Sequence, residues 1–173
     1  MTWRTIHALA RTLPREEVRP YALALAGAEV RRAGLSAQFL VGTALEAWRA
    51  LDPAPPDPRL GLVWTSLTAS GTETVACLEE VLTRGEPPMP FDFLGSQPHM
   101  GALHAQALIP GLDHALALLR PSGPVELLVE AQARRRGWTH VLLGELATPD
   151  PTVPEGGTFA ARWRVLARTG TRA

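Results

Sequence analysis

The run Leu60-Gly-Leu-Val-Trp-Thr-Ser66, with Ser70-Gly-Thr-Glu73 just beyond it, decides the fold. The first segment is short and apolar and follows a turn cluster, the pattern of a strand buried on both faces. The second has the spacing of a capping box. After it Val75, Leu78, Val81 and Leu82 form an apolar stripe, and Gly85 suits a left-handed helix stop. A buried strand that runs directly into a helix is the building unit of an α/β sheet.

On the N-terminal side, Leu40, Ala44, Ala47, Trp48 and Leu51 recur at helical spacing, which predicts an amphipathic helix over about Ser36 to Leu51. On the C-terminal side, Pro98 to Ile109 reads as a helix ended by Pro110-Gly111, and His114 to Leu119 as a strand. Ser122-Gly-Pro124 opens a helix that Glu126 and Arg134-Arg-Arg136 match to the two ends of its dipole, before Gly137. Thr139 to Leu143 is the next strand. Phe159 to Ala167 alternates apolar residues with arginine, as a half-exposed or edge strand does. Three proline clusters, Asp52 to Arg59, Glu86 to Pro90 and Thr148 to Gly157, fall between these segments and read as surface loops. The expectation is one α/β domain over residues 1–173, a mixed, mostly parallel sheet with helices on both faces.

Composition narrows the function. Seventeen basic and seventeen acidic residues cancel, so no global field draws the chain to nucleic acid or an anionic membrane. No stretch approaches the ~20 apolar residues of a membrane span, and Met1-Thr-Trp-Arg-Thr-Ile-His7 lacks the apolar core of a signal peptide. A lone cysteine, Cys77, excludes an internal disulfide framework and fits a reducing compartment, so a cytoplasmic location is expected. Every basic side chain is arginine, which removes lysine-dependent Schiff-base chemistry and phosphate loops, and no nucleotide-binding glycine pattern occurs. No cofactor is expected. His99 and His104 stand five apart on a helix, where a metal pair prefers four, so no metal site is expected either.

Several segments resemble the N-terminal half of the β-ketoacyl synthases, enzymes of the thiolase fold. Arg31-Arg-Ala-Gly-Leu-Ser36 resembles the family's arginine-led segment, and Leu60 to Ser66 with Ser70-Gly71 its glycine-bearing strand and turn. Gly85-Glu-Pro-Pro-Met-Pro-Phe-Asp-Phe93, with Ser96, His99 and Ala102, resembles the loop that enters the family's dimer helix. Ala115 to Gly123, the helix to Arg136, and Gly137-Trp-Thr-His-Val-Leu-Leu-Gly144 resemble its nucleophile turn, helix and following strand. Short, inactive ketosynthase-like proteins and chain-length factors of aryl-polyene-type gene sets are the nearest members of that resemblance.

The resemblance implies a dimer, with itself or with a ketosynthase, and an acyl carrier protein as a candidate partner. It places Phe93, Ser96, His99, His104 and Arg120 at an interface or pocket. It also places the catalytic cysteine at Arg120, and a guanidinium is neither a nucleophile nor readily deprotonated. The remaining catalytic groups belong to a second half that 173 residues do not reach. A non-catalytic accessory or scaffold subunit of a fatty-acid or polyketide pathway is therefore expected. Ser122 with His114 forms the enzymatic alternative, an acyl transferase or thioesterase, although Ser122 suits a helix cap and His114 sits at the far end of its strand. A stand-alone homodimer that binds an acyl ligand or carrier is the third reading. Arg134, Arg135 and Arg136 are candidate carrier contacts and equally favourable partners of a helix C-terminus.

Overall fold

A computed structural model describes residues 2–66, 71–85, 87, 94, 96, 97, 99–119, 124–149 and 157–169. Among these residues five strands and five α-helices follow in the order β1 (Trp3–Pro14), α1 (Arg15–Ala26), α2 (Leu35–Arg49), β2 (Leu60–Ser66), α3 (Gly71–Arg84), α4 (His99–Leu108), β3 (Leu112–Leu119), α5 (Val125–Arg136), β4 (His140–Ala147) and β5 (Thr158–Arg168), with a 3₁₀ turn over Gly27–Val30. The strands form one sheet in the order β1-β5-β4-β2-β3. β3, β2 and β4 pair in parallel, while β5 runs antiparallel to both β4 and β1. Four strands therefore share a direction and β5 opposes them, the mixed, mostly parallel sheet that the alternation of elements predicts.

One face of the sheet packs beneath α1, α2 and α4, and the main core lies there. Phe39, Leu40, Ala44, Leu45 and Trp48 of α2 meet Leu60, Leu62 and Trp64 of β2, Leu142 of β4, and Phe159, Trp163 and Val165 of β5. Among the described residues, α5 covers the opposite face. There Val129 and Ala133 join Val63, Val141, Leu143, Leu166 and Trp138 in a smaller cluster.

Two strand glycines mark where a tryptophan meets the sheet on each face. A Cβ on Gly61 would lie 2.4 Å from the Trp138 ring, and one on Gly144 would lie 2.4 Å from Trp163. Glycine inside a strand here records close approach rather than flexibility. Both indoles are fully buried and bonded, Trp138 Nε1 donating to Asp113 Oδ1 at 2.9 Å and Trp163 Nε1 to Thr43 Oγ1 at 2.9 Å.

Several expectations change. α1, with Pro20 inside it, has no counterpart in the sequence reading. β5 alternates in burial as expected, yet it is an interior strand, because β1 covers its outer edge. α3 spans the predicted residues and Gly85 adopts φ 68° after it, but the Leu78, Val81 and Leu82 side chains are exposed. Ser70, the other half of the expected capping box, lies outside the described residues; the Glu73 carboxylate accepts from the Ser36 backbone N–H at 2.8 Å and from Ser36 Oγ at 2.9 Å, capping α2. Gly34, the N-cap of α2, offers no side chain of its own, and a carboxylate suits the positive end of the helix. α5 starts from Pro124 without a side-chain cap; Ser122 lies outside the described residues.

Candidate functional site

The parallel strands β2 and β4 end at Ser66 and Ala147, next to the N-terminus of α5, and a cleft of about 650 Å³ opens there on the sparsely covered face. Crevices at the carboxyl ends of parallel strands are the usual ligand sites of open α/β sheets. Register builds this one. Thr65 of β2, Glu145 of β4, Arg162 of β5 and Ala10 of β1 stand side by side in one cross-sheet row. Leu143, Arg164 and Ala8 form the next row. Pro124, Val125 and Glu126 make the wall.

Small alanines on β1 leave the floor low, and the two β5 arginines rise from it. Arg164 Nη2 donates to Glu126 Oε1 at 2.9 Å, tying α5 to the sheet. That hydrogen bond, followed by one to the backbone of Glu126 itself, holds the Glu126 carboxyl below the usual carboxylate range. No ion pair of Arg162 occurs among the described residues, which leaves a cation available at the floor. Chemically the cleft can hold a partly apolar ligand and meet an anionic group on it.

The residues singled out from the sequence distribute unevenly. Arg120, Ser122 and Phe93 lie outside the described residues. Leu119, from which the chain leads to Arg120, stands beside Ser66 at the cleft end of the sheet. His114 sits near the opposite end of β3, about 16 Å away at the rise of an extended strand. Its ring centroid is 6.3 Å from that of Trp138, and burial, then Arg136, lowers its pKa. Ser96 is buried and accepts from Gln97 Nε2 at 3.3 Å. His99 is exposed at the start of α4, whereas His104 turns to Glu29 Oε1 at 3.4 Å. Arg134 to Arg136 end α5 and so lie about 18 Å from its cleft end, at 1.5 Å per residue.

His7 and His140 line a second cavity of about 390 Å³ at the other end of the sheet, with Arg4, Asp52 and Arg168. His140 is buried edge-on to Trp48 at 6.0 Å, and burial lowers its pKa. Among the described residues no cluster of three metal-ligating side chains occurs. Among the same residues no helix is long and apolar enough to cross a membrane.

Sequence reasoning missed Glu126, Glu145, Arg162 and Arg164 as site residues. The signal was present in the period-two arginines of Phe159 to Ala167, which mark one exposed side of a strand; which helix borders that side depends on sheet order.

No protein-family model and no curated protein sequence matches the chain. Among solved structures it is similar to a chain of the ketosynthase (ApeO) in complex with its chain length factor (ApeC) from Xenorhabdus doucetiae. That match has a TM-score of 0.62 and 17% identity over 97% of this chain and 79% of the other, so the matched chain is only somewhat longer. It is also similar to a chain of the ishigamide ketosynthase/chain length factor, with a TM-score of 0.54 and 14% identity over 77% of this chain and 42% of the other. Against that second chain it spans less than half the length. The five-stranded sheet and its helices thus match the fold of one half of a thiolase-fold ketosynthase, as expected.

Proposed function

We propose that this chain is a non-catalytic ketosynthase-like subunit that pairs, with itself or with a ketosynthase, in a fatty-acid or polyketide type of acyl-chain pathway. The observation that carries the proposal is the β3 side of the sheet. β3 pairs with β2 on one edge, and no described strand bonds its other edge. β3 and the helix α4 that packs on it expose large apolar side chains, Leu119 and Leu103, and further ones stand at Leu94 and at Leu78, Val81 and Leu82 on α3. A free edge strand flanked by exposed leucines is unfavourable in a monomer and suits a partner that continues the sheet. The matched complexes are ketosynthases with chain length factors, which agrees with such a partner.

Arginine at position 120, where the resemblance places a nucleophilic cysteine, supports the non-catalytic part. In the serine-dependent alternative, His114 stands on the wrong end of β3, so the base would come from a partner subunit. An acyl carrier protein stays a candidate partner, with Arg162 and Arg164 at the cleft better placed than Arg134–Arg136 to meet a ligand held there.

A pull-down of the tagged chain from native host extract, with native mass measurement, tests the proposal. Recovery of a homodimer or of a ketosynthase in fixed ratio supports it, with Leu78→Asp and Leu82→Asp together abolishing the association. A chain that stays monomeric and recovers no ketosynthase overturns it. Labelling of Ser122 by a fluorophosphonate would instead establish the enzymatic alternative.

A further inference from the structure

The C-terminal end of α5 gathers more positive charge than its surroundings answer. Gly137, in the left-handed conformation at φ 70°, ends the helix and turns the chain toward Trp138. Arg59 stands just before β2 and reaches the same corner, its Nη1 only 3.1 Å from where a Cβ on Gly137 would sit. His114 pairs in register with Gly61, on which Trp138 packs, and so borders the corner from β3. Arg135 and Arg136 lie within electrostatic reach of His114.

The charges do not balance locally. Arg134 is answered by Glu130 at 2.6 Å. Asp113 is the carboxylate beside His114, and one of its oxygens already accepts from the Trp138 indole. Among the described residues Arg59, Arg135 and Arg136 make no ion pair. Arg136 Nε is buried without an acceptor. A helix C-terminus supplies roughly half a negative charge, too little for three guanidinium groups, and a buried charged N–H without an acceptor is costly. Forked guanidinium donors approaching from different elements match an oxyanion with several acceptor atoms.

We infer that Arg59, Arg135, Arg136 and His114 form a binding site for a tetrahedral, phosphate-type oxyanion at the foot of α5, about 18 Å along the helix from the cleft. This site is independent of the pairing proposed above. Its distinguishing property is a coupling to His114. Burial, then Arg136, lower the pKa of that histidine, Asp113 opposes them, and Arg135 adds to the lowering. In the free protein these surroundings favour the neutral ring. A bound dianion reverses the local field, raises the His114 pKa and recruits its ring as a further donor, so affinity compared at constant dianion concentration increases as pH falls toward 6, the phosphate itself taking up a proton in that range.

The experiment is a titration of the folded chain with inorganic phosphate and, separately, with glycerol phosphate at constant ionic strength, followed by calorimetry and by the NMR titration of His114. Saturable binding and a rise in the His114 pKa are expected. Arg59→Gln and Arg136→Gln should each weaken binding about tenfold, the size of one charge-assisted hydrogen bond, while Arg15→Gln on exposed α1 leaves it unchanged. Tighter binding of glycerol phosphate assigns the site to an esterified phosphate, and equal or weaker binding to free phosphate. A response that chloride reproduces at the same ionic strength, or that survives both substitutions, overturns the inference. If Arg136→Gln fails to fold, Arg135→Gln and the His114 titration of the unaltered chain decide the question.

Discussion

Helices α2 and α3 touch, joined by the Glu73 carboxylate at the start of α2, and otherwise live in different environments. From Ser36 through Leu45 every residue of α2 is buried, with Ala47 and Trp48 beyond, and the helix is held by polar contacts on several sides. Thr43 Oγ1 accepts from Trp163 and donates back to the Phe39 carbonyl at 2.7 Å. Glu46 accepts from Arg11 and, at 2.5 Å, from the Tyr21 hydroxyl. α3 buries Cys77 but leaves Leu78, Val81 and Leu82 at 55%, 38% and 82% exposed. The difference teaches that the α1–α2–β5 side of the molecule is finished as a single chain, whereas α3 and, separately, the outer edge of β3 carry apolar surface of the kind a partner covers.

The contrast can be attacked in order of expected effect. Trp163→Ala removes a fully buried indole from beneath α2 and should cost about 3–5 kcal/mol in urea unfolding; a loss below ~1 kcal/mol would mean that α2 is not the anchor of the fold. Glu73→Ala deletes two bonds to the α2 N-terminus and should cost about 1–2 kcal/mol. Hydrogen exchange should then speed up most in α3, and uniform acceleration across the sheet would show that the two helices form one unit.

A smaller effect concerns acid. Burial raises the Glu46 pKa, but hydrogen bonds from Arg11 and Tyr21 outweigh it and hold the folded value below the usual one. A carboxyl depressed in the folded state adds stability above its unfolded pKa, and that stability is lost as pH falls below about 4.3. Glu46→Gln should flatten this acid loss in a stability-against-pH series; an unchanged slope would remove Glu46 from the tether. The smallest effect on stability, within about 0.5 kcal/mol, is expected for Leu78→Asp with Leu82→Asp, since exposed side chains give up little on substitution. A large loss of stability in that variant would mean that α3 packs as α2 does.

The elements were readable where periodicity and stop signals agreed. Leu60 to Ser66, the helix ending before Gly85, and the helix from Pro124 to Gly137 all fall within a residue or two of the reading. α1 was not, because Pro20 interrupts its pattern and its support comes from packing on α2, as at Gly42, where an added Cβ would lie 2.8 Å from Tyr21. The exposure of α3 was hidden for a different reason: an apolar stripe specifies a buried face, not which molecule buries it. The cleft was the least legible feature. Its row of Thr65, Glu145, Arg162 and Ala10 comes from four strands that become neighbours only through the order β1-β5-β4-β2. Glu73 shows the same limit, since spacing places it in the first turn of α3 but only tertiary contact brings its carboxylate to Ser36.

The pairing of β1 with β5 brings Thr2 and Thr169 together, with the Thr169 N–H and Oγ1 donating to the Thr2 carbonyl at 2.9 and 2.8 Å. Positions 167 residues apart in the chain are thus hydrogen-bonded neighbours. A short linker between those positions would close the backbone into a ring, and new ends could be opened in the exposed 52–59 loop without cutting a strand or helix. The fold therefore suits circular permutation through Thr2 and Thr169, on the β1–β5 side of the sheet remote from β3.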